Sequence, residues 1–295
     1  MILYSVPFWL QIPRNQSMEV DQKKVQSKNL SQENQDSNLV SLSKTLNIPE
    51  AVLKRMIETG IYWGHKPSKT YPKMREYIEG LKSNVTVFDL KKIYQKLKEA
   101  QDYLEKKLKE NPNLTILFLG TTPPAKKPIL EIAKKFNYPY VVERWVGGIL
   151  TNFKNIFERL RYFKELEEKK AKGELKKYSK KEQLDFEREL QRLEKLFGGI
   201  KNLEKLPDLL FIVNVSEKNH QTAIREANKL KIPIMAVVDT DGNPDPIDVV
   251  IPANDNSKSA IEFILEKLTQ VIEKNRKVKN EKKDLTKSKE SNKKN

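Results

Sequence analysis

The chain of 295 residues has no cysteine and only two histidines, and Lys and Arg outnumber Asp and Glu by 56 to 40, a formal net charge of +16. Without cysteine there is no disulfide, thiolate metal site or cysteine nucleophile, and two histidines argue against a Ser-His-Asp triad or a histidine-ligated metal. No apolar run reaches the roughly 18 residues of a membrane span.

Hydrophobic spacing predicts an alternation of strands and helices along the chain. Helices are expected at 49–59, 90–110, 125–136, 217–231 and 257–274, and strands at 85–89, 115–120, 140–142, 209–214, 234–239 and 249–252. The Gly- and Pro-rich stretch 60–80 is expected to be a loop. Because continuous apolar strands alternate with helices from residue 115 onward, the fold class is α/β, with a mostly parallel sheet covered on both faces.

Residues 153–198 interrupt this alternation with two highly charged helical patterns. Apolar residues recur at spacings of three and four, first over 149–163 and again over 186–197, with Gly173 between them. Two helices with such narrow apolar seams can pack as an antiparallel hairpin. We expect an inserted α-helical coiled-coil hairpin that protrudes from the sheet; the alternative is that it covers one face of the sheet.

The flanks of the chain have few apolar residues. Residues 275–295 carry nine basic and three acidic residues, a net +6, and residues 15–38 are rich in Gln, Asn and Ser. Such segments cannot bury a face. We therefore expect a disordered N-terminal extension (1–44), a folded domain (45–274) and a disordered basic tail (275–295). Residues 1–13 lack the basic start and cleavage site of a signal peptide, and Met18 is an alternative start.

The positive charge extends to the body, because residues 45–274 carry 42 basic and 33 acidic residues, a net +9. A basic body with a basic tail is typical of proteins that bind polyanions. The alternative is a solubilising surface in a lysine-biased proteome, since Lys outnumbers Arg 46 to 10. Three of the ten arginines, Arg144, Arg159 and Arg161, fall within 18 residues, and arginine has the planar donor fork that suits phosphate.

Two stretches resemble ligand-binding loops, and both lack essential residues. GTTPPAKK (120–127) joins a strand to a helix, where doubly wound folds bind phosphate, but Pro123 and Pro124 remove two amides and the glycine spacing of a phosphate loop is absent. DTDGNPDPID (239–248) has carboxylates at calcium-loop spacing without the glycine and glutamate that such a loop requires. We expect neither a nucleotide nor a metal there, and interpret His220 as a surface residue.

ERWVGGILTNFKN (143–155) is the most informative stretch. Arg144 and Trp145 follow a strand, two glycines allow close backbone approach, and Thr151 and Asn152 can cap the next helix. A basic, aromatic corner of this kind suits RNA backbone phosphates and stacked bases.

Several segments, in family order, resemble the bacterial-type small-subunit ribosomal protein "S-two" family. They include MIETGIYWGHKPSKTYPKMREYIEG (56–80), VTVFDLKK (85–92), ILFLGTT (116–122), PYVVERWVGGILTNFKNI (139–156), FGGIKNLEKLPDLLFIVN (197–214) and REANKLKIPIMAVVDTDGNPDPIDVVIPANDNS (225–257). The resemblance covers nearly all of 49–274. It departs from the family pattern at 122–124 and at Gly242, where the family usually has other residues.

The resemblance implies a flavodoxin-like three-layer sheet of order 2-1-3-4-5, with the hairpin inserted after the second strand. It implies a non-enzymatic constituent of the small ribosomal subunit, acting in translation without a cofactor or metal. The partners implied are small-subunit ribosomal RNA and neighbouring ribosomal proteins, including "S-one", with no membrane contact and no stand-alone homo-oligomer. The ribosome would be cytoplasmic, with an organellar ribosome also open.

We expect RNA contacts from eleven residues in the matching segments 56–80 and 139–156 and just after the second: His65, Lys66, Lys69, Lys73, Arg75, Arg144, Trp145, Asn152, Lys154, Arg159 and Arg161. The competing hypothesis is a doubly wound α/β enzyme that binds a phosphorylated small molecule. It would need a complete phosphate loop and a titratable pair, and neither is visible in the sequence.

Overall fold

The computed structural model describes the backbone of residues 39–291 and the side chains of residues 39–276. By its contacts, the described chain divides into two units between Lys54 and Arg55. Residues 39–46 form helix α1, and α2 covers Glu50–Thr59. Disorder was expected over 1–44, and this is corrected at 39–44, which are helical; the expectations for residues 1–38 lie outside the described residues.

A five-stranded parallel sheet forms the centre of the second unit. Its strands are β3 (Ile116–Leu119), β4 (Tyr140–Val141), β5 (Leu209–Val213), β6 (Ile234–Val238) and β7 (Val249–Pro252). They lie in the order β4-β3-β5-β6-β7, which is 2-1-3-4-5 within the sheet and confirms the flavodoxin-like order. All residues of β3, β5 and β6 are buried, as expected for apolar strands that are covered on both faces.

Helices cover the sheet as α3 (Leu90–Glu110), α4 (Pro123–Phe136), α7 (Lys218–Lys229) and α8 (Lys258–Ser291). Helix α8 contacts both α3 and α4, so these three form one layer. Helices α4 and α7 connect strands in opposite directions along the sheet, so right-handed crossovers place them on opposite faces. The result is the expected three-layer α/β fold.

A two-stranded antiparallel sheet precedes the parallel one. Strand β1 (Ile78–Lys82) pairs with β2 (Val85–Phe88) across Ser83 and Asn84, which have φ angles of 52° and 61°. Positive φ at both turn residues is the geometry that tight hairpins require. The expectation of a loop through residue 80 is wrong for the start of β1, because that strand has no apolar alternation and is held by its neighbour.

Helices α5 (Phe153–Ala171) and α6 (Lys180–Phe197) follow β4, where two helices were expected. They contact each other and bury their apolar positions against one another and the adjacent chain, with Ile156, Leu160, Phe163, Leu190 and Leu193 all buried. Ser179 and Glu182 form a reciprocal capping box that starts α6. A coiled-coil geometry for the pair stays a prediction.

Helix α8 continues to Ser291, although the sequence predicts a disordered tail from residue 275. Lysine and glutamate are good helix formers, so the helix can extend beyond its last buried turn without an apolar face. The helix is attached to the end of α4 at Arg276, whose Nη2 donates to the Phe136 carbonyl at 2.9 Å. In the part of the chain that the structure describes, no helix is long and apolar enough to cross a membrane.

Candidate nucleic-acid interface

The loop after α2 covers the carboxyl edge of β6 and β7. The His65 amide donates to Thr240 Oγ1 at 2.8 Å, and the Tyr71 amide donates to the Thr240 carbonyl at 2.7 Å. A Cβ added at Gly64 would lie 2.5 Å from side-chain atoms of both Thr240 and Thr86. Glycine is therefore required here by close approach, and the loop is fixed to the sheet edge.

His65 lies in an acidic cluster at this edge. Its Nδ1 is 3.3 Å from Asp239 Oδ1 and 3.8 Å from Asp241 Oδ1. The Asp239 carboxylate raises the pKa of His65 to about 9 against the opposing effect of burial. Burial, with the charges of Asp239 and Asp241, raises the pKa of Asp255 well above its usual range. His65 is therefore a cation at neutral pH, and its charge is paired with carboxylates of the same chain.

The acidic stretch after β6 forms a turn. The amide of Asp245 donates to Asn243 Oδ1 at 3.0 Å, and the Asp245 carboxylate pairs with Lys73 Nζ at 2.6 Å. Among the described residues, no group of histidine, aspartate and glutamate side chains could hold a metal ion. A turn is what the two prolines of this stretch predict.

Glu226 of α7 organises the 145–151 corner. Its Oε1 accepts from Trp145 Nε1 at 3.1 Å and from the Gly148 amide at 2.8 Å. Its Oε2 accepts from the Leu150 and Thr151 amides at 3.0 and 3.3 Å, and the Thr151 hydroxyl lies 3.4 Å away. Gly148 has a φ of 92°, so the loop needs glycine where it wraps the carboxylate.

This geometry corrects two expectations. Trp145 is only 3% exposed, so it has no free face on which a base could stack. It is instead a buried part of the corner, bonded to Glu226. Asn152 is the N-cap of α5, as expected, but its side chain forms no capping bond. The Thr151 hydroxyl is directed to Glu226 instead of capping the helix.

The remaining cationic residues separate into paired and unpaired groups. His65 and Lys73 are held by carboxylates of the β6 edge. Seven exposed cations form no ion pair with any described carboxylate: Lys66, Lys69, Arg75, Arg144, Lys154, Arg159 and Arg161. This leaves their charge available to a polyanion.

The unpaired cations lie in two places. Three belong to the loop that covers the β6–β7 edge, and four follow β4, the strand at the opposite edge of the sheet. Within α5, Lys154 and Arg161 are seven residues apart and share a helix face. Arg159 instead lines the groove between α5 and α6 with Glu189 and Arg192. The structure thus does not merge the expected contacts into one patch.

The crevice where doubly wound folds bind ligands, between β3 and β5, is filled by His220. This side chain is buried, so the expectation of a surface position is wrong. Its Nε2 lies 3.2 Å from the Thr121 amide, and its Nδ1 lies 2.5 Å from the Asn214 carbonyl. The Thr121 amide, which a phosphate in this crevice would use, therefore already donates to the histidine.

Comparison with known proteins decides the family. A family model described as "Ribosomal protein S2" matches residues 56–275. The chain belongs to the ribosomal protein S2 family. Members of this family are structural components of the small ribosomal subunit and not enzymes.

Three relatives, each called "Small ribosomal subunit protein uS2", show how far the similarity extends. The one from Coprothermobacter proteolyticus is 39% identical over 220 residues, 75% of this chain and 81% of its own. Those from Dictyoglomus thermophilum and Dictyoglomus turgidum are 41% and 39% identical, over 75% and 79% of this chain and 88% and 94% of their own. The S2 family match therefore covers the sheet, the α5–α6 pair and the basic corner together.

Sequence reasoning missed the role of Glu226. The residue lies on the apolar side of α7, next to the buried residues Ala223 and Ala227. An acidic residue at such a position signals a buried polar network, since a buried charge requires partners. Its partners, however, are 75 to 81 residues away in sequence.

Proposed function

We propose that this chain is a structural constituent of the small ribosomal subunit that binds small-subunit ribosomal RNA through its unpaired cations. The observation that carries the proposal is the set of seven exposed Lys and Arg side chains that lack a described carboxylate partner. Some lysines elsewhere are neutralised instead, as in the pairs of Lys96 with Glu99 and Lys109 with Glu105. RNA phosphates would supply the missing counter-charge.

Arg144 has the strongest position in this set. It lies directly before Trp145, which the Glu226 carboxylate anchors at 3.1 Å. Its guanidinium is exposed and has no described carboxylate partner, so its forked donors can bind phosphate in a bidentate way. Lys154 and Arg161 extend the positive charge along one face of α5. Contact with phosphates makes the proposed binding largely independent of sequence.

The proposal is tested by a fourfold substitution, Arg144→Gln, Lys154→Gln, Arg159→Gln and Arg161→Gln, in the full chain. A matched control replaces four paired lysines with glutamine: Lys96, Lys107, Lys109 and Lys258. Both variants lose four charges. Filter binding to small-subunit ribosomal RNA across a salt series should show a shallower salt slope, by roughly 0.9 per lost phosphate contact, for the first variant only. Equal slopes would refute the interface.

We also propose that the chain helps to dock ribosomal protein "S-one" and contacts neighbouring ribosomal proteins. The resemblance supports this, and the α5–α6 pair with its connecting segment offers exposed apolar side chains to protein partners: Phe157, Tyr162, Tyr178 and Leu184. Subunits reconstituted with and without this chain should differ in their capacity to co-sediment "S-one". Equal co-sedimentation would refute the docking role while leaving the RNA interface untouched.

A further inference from the structure

Glu226 is a buried acid without a basic partner. Its side chain is 7% exposed, and it forms no ion pair with a described Lys, Arg or His. Five donors surround it instead: three backbone amides, one indole N–H and one hydroxyl. Burial of a carboxylate is costly unless such bonds replace the lost water. The buried Glu226 carboxylate therefore needs the donors that the folded corner supplies.

The loop, in turn, depends on the acid. The Leu150 side chain is buried, and its amide and that of Thr151 have Oε2 of Glu226 as their acceptor. Without this acceptor, the buried Leu150 amide would have no partner, which is costly for any backbone group. The carboxylate is therefore the shared acceptor that joins Trp145, Gly148, Leu150 and Thr151 in one corner.

The corner connects two parts of the proposed interface. Arg144 immediately precedes the anchored segment, and α5, with Lys154 and Arg161, begins two residues after it at Phe153. We propose that Glu226 is a positioning residue for RNA binding: it holds the 145–151 segment so that Arg144 and the first turns of α5 present their charges in a fixed geometry. This inference rests on the proposed RNA-binding function, and adds to it a residue that contacts no RNA.

The first test is Glu226→Gln in the full chain. The amide has almost the shape of the carboxylate, but it places an NH₂ group against donors at one of its two ends, so one pair of N–H groups loses its acceptor. Affinity for small-subunit ribosomal RNA is expected to fall about tenfold, the effect of weakening roughly one hydrogen bond to phosphate, because Arg144 is then no longer held in position. Glu131→Gln, the same change at an exposed site in α4, is the matched control and should leave affinity unchanged.

A double-mutant cycle distinguishes positioning from general damage. Arg144→Ala is measured in the native and in the Glu226→Gln background, below the melting transition of each variant. If Glu226 acts through the corner, Arg144→Ala costs much less affinity once Glu226 is changed. Amide exchange should also accelerate at Gly148, Leu150 and Thr151. If the two losses multiply, or if Glu226→Gln binds like the native protein, the inference is overturned.

Two further measurements cover the cases in which Glu226→Gln does not fold or the proposed interface itself is wrong. If Glu226→Gln does not fold, Trp145→Phe replaces it in the same cycle, since it removes one donor to Oε1 and keeps the aromatic ring. If Arg144→Ala and the fourfold glutamine variant bind RNA like the native protein, the proposed interface fails. That failure is visible without any change at Glu226, and it is therefore distinct from failure of the positioning role.

Discussion

The imidazole of His65 and the carboxylate of Asp239 meet at 3.3 Å at the carboxyl edge of β6, where Asp239 is buried. Asp241 adds negative charge to the same place. This raises the pKa of His65 to about 9, from an ordinary value of 6.5. A protonated His65 therefore joins the loop before β1 to the sheet, and its titration is linked to the stability of the fold.

The stability of the full chain should fall between pH 6.5 and 9. Below pH 6.5 the histidine is protonated in both folded and unfolded states, and its stabilising contribution is complete. Between pH 6.5 and 9 the unfolded chain loses this proton first, so stability declines with rising pH. His65→Gln should flatten this decline, which urea denaturation at pH 6, 7.5 and 9 can measure. An unchanged slope would show that the ion pair does not stabilise the fold.

His220 provides a control of opposite sign. Burial lowers the pKa of its imidazole, so the folded state resists its protonation. Its contribution is complete above pH 6.5 and is lost as the pH falls below that value. His220→Asn should therefore change the acid side of the stability profile and leave the decline between pH 6.5 and 9 intact.

Gly64→Ala should destabilise the chain by roughly 1–3 kcal/mol, the usual cost of overpacking. The new Cβ would lie 2.5 Å from Thr240 Cγ2 and from Thr86 Oγ1, and both side chains are buried. Gly80→Ala is the control, because a Cβ there meets nothing within 4 Å. Thermal melting of both variants is the measurement. Equal melting temperatures would mean that the loop can move off the sheet edge.

The parallel sheet could be predicted from the sequence because its signal is local. Strands β3, β5 and β6 are short apolar runs with helices between them, and each run encodes its own burial. Strand β1 has no such run, since its sequence IEGLK contains only two separated apolar residues. Its pairing with β2 depends on a turn through Ser83 and Asn84. Local pattern therefore predicts the covered strands and β2, which was expected at 85–89, and misses β1.

The sequence predicts the positive charge of the candidate site but not the contacts that its side chains make. The sequence identified the basic segments, but it could not show that Trp145 turns inward to Glu226, because the two residues are 81 positions apart. His220 was misplaced for the same reason, since it bonds to Thr121 and Asn214, which follow two different strands. Composition indicates which charges exist, and tertiary pairing decides which of them remain free.

The distal part of the α5–α6 pair should be dispensable for folding. Between residues 168 and 186 the only described side chain that is buried is Leu175. Replacing these residues with a short Gly-rich loop should leave a single cooperative melting transition near the native temperature. Residues 156–167, which include the buried Phe163, are kept. Loss of cooperative melting would show that the distal turns support the sheet.

Removing residues 277–295 should reduce the salt dependence of RNA binding without loss of stability. This segment carries eight lysines and three acids, a net +5, and each phosphate contact that is lost lowers the salt slope by roughly 0.9. The truncation leaves Arg276, which stacks on Phe136 with its guanidinium carbon 4.9 Å from the ring centroid. Filter binding at several salt concentrations and a thermal melt test both parts. A lower melting temperature would assign the tail a structural role.

Arg144→Lys should weaken incorporation into the small subunit by roughly 1–2 kcal/mol, the range of a lost charge-assisted hydrogen bond. Lysine keeps the charge but loses the planar fork that binds phosphate through two donors. The melting temperature should not change, because Arg144 is exposed and forms no ion pair with any described carboxylate.

Incorporation is measured by competition between native and variant chains for subunits that lack this protein, and stability by thermal melting of the same preparations. A structural ion pair at Arg144 would give the reverse result, with earlier melting and normal incorporation once folded. Lys126→Arg is the control, since Lys126 pairs with Glu143 at 3.1 Å, next to the same corner. That variant should match the native chain in both measurements, because arginine can keep the exposed pair and such pairs contribute little to stability.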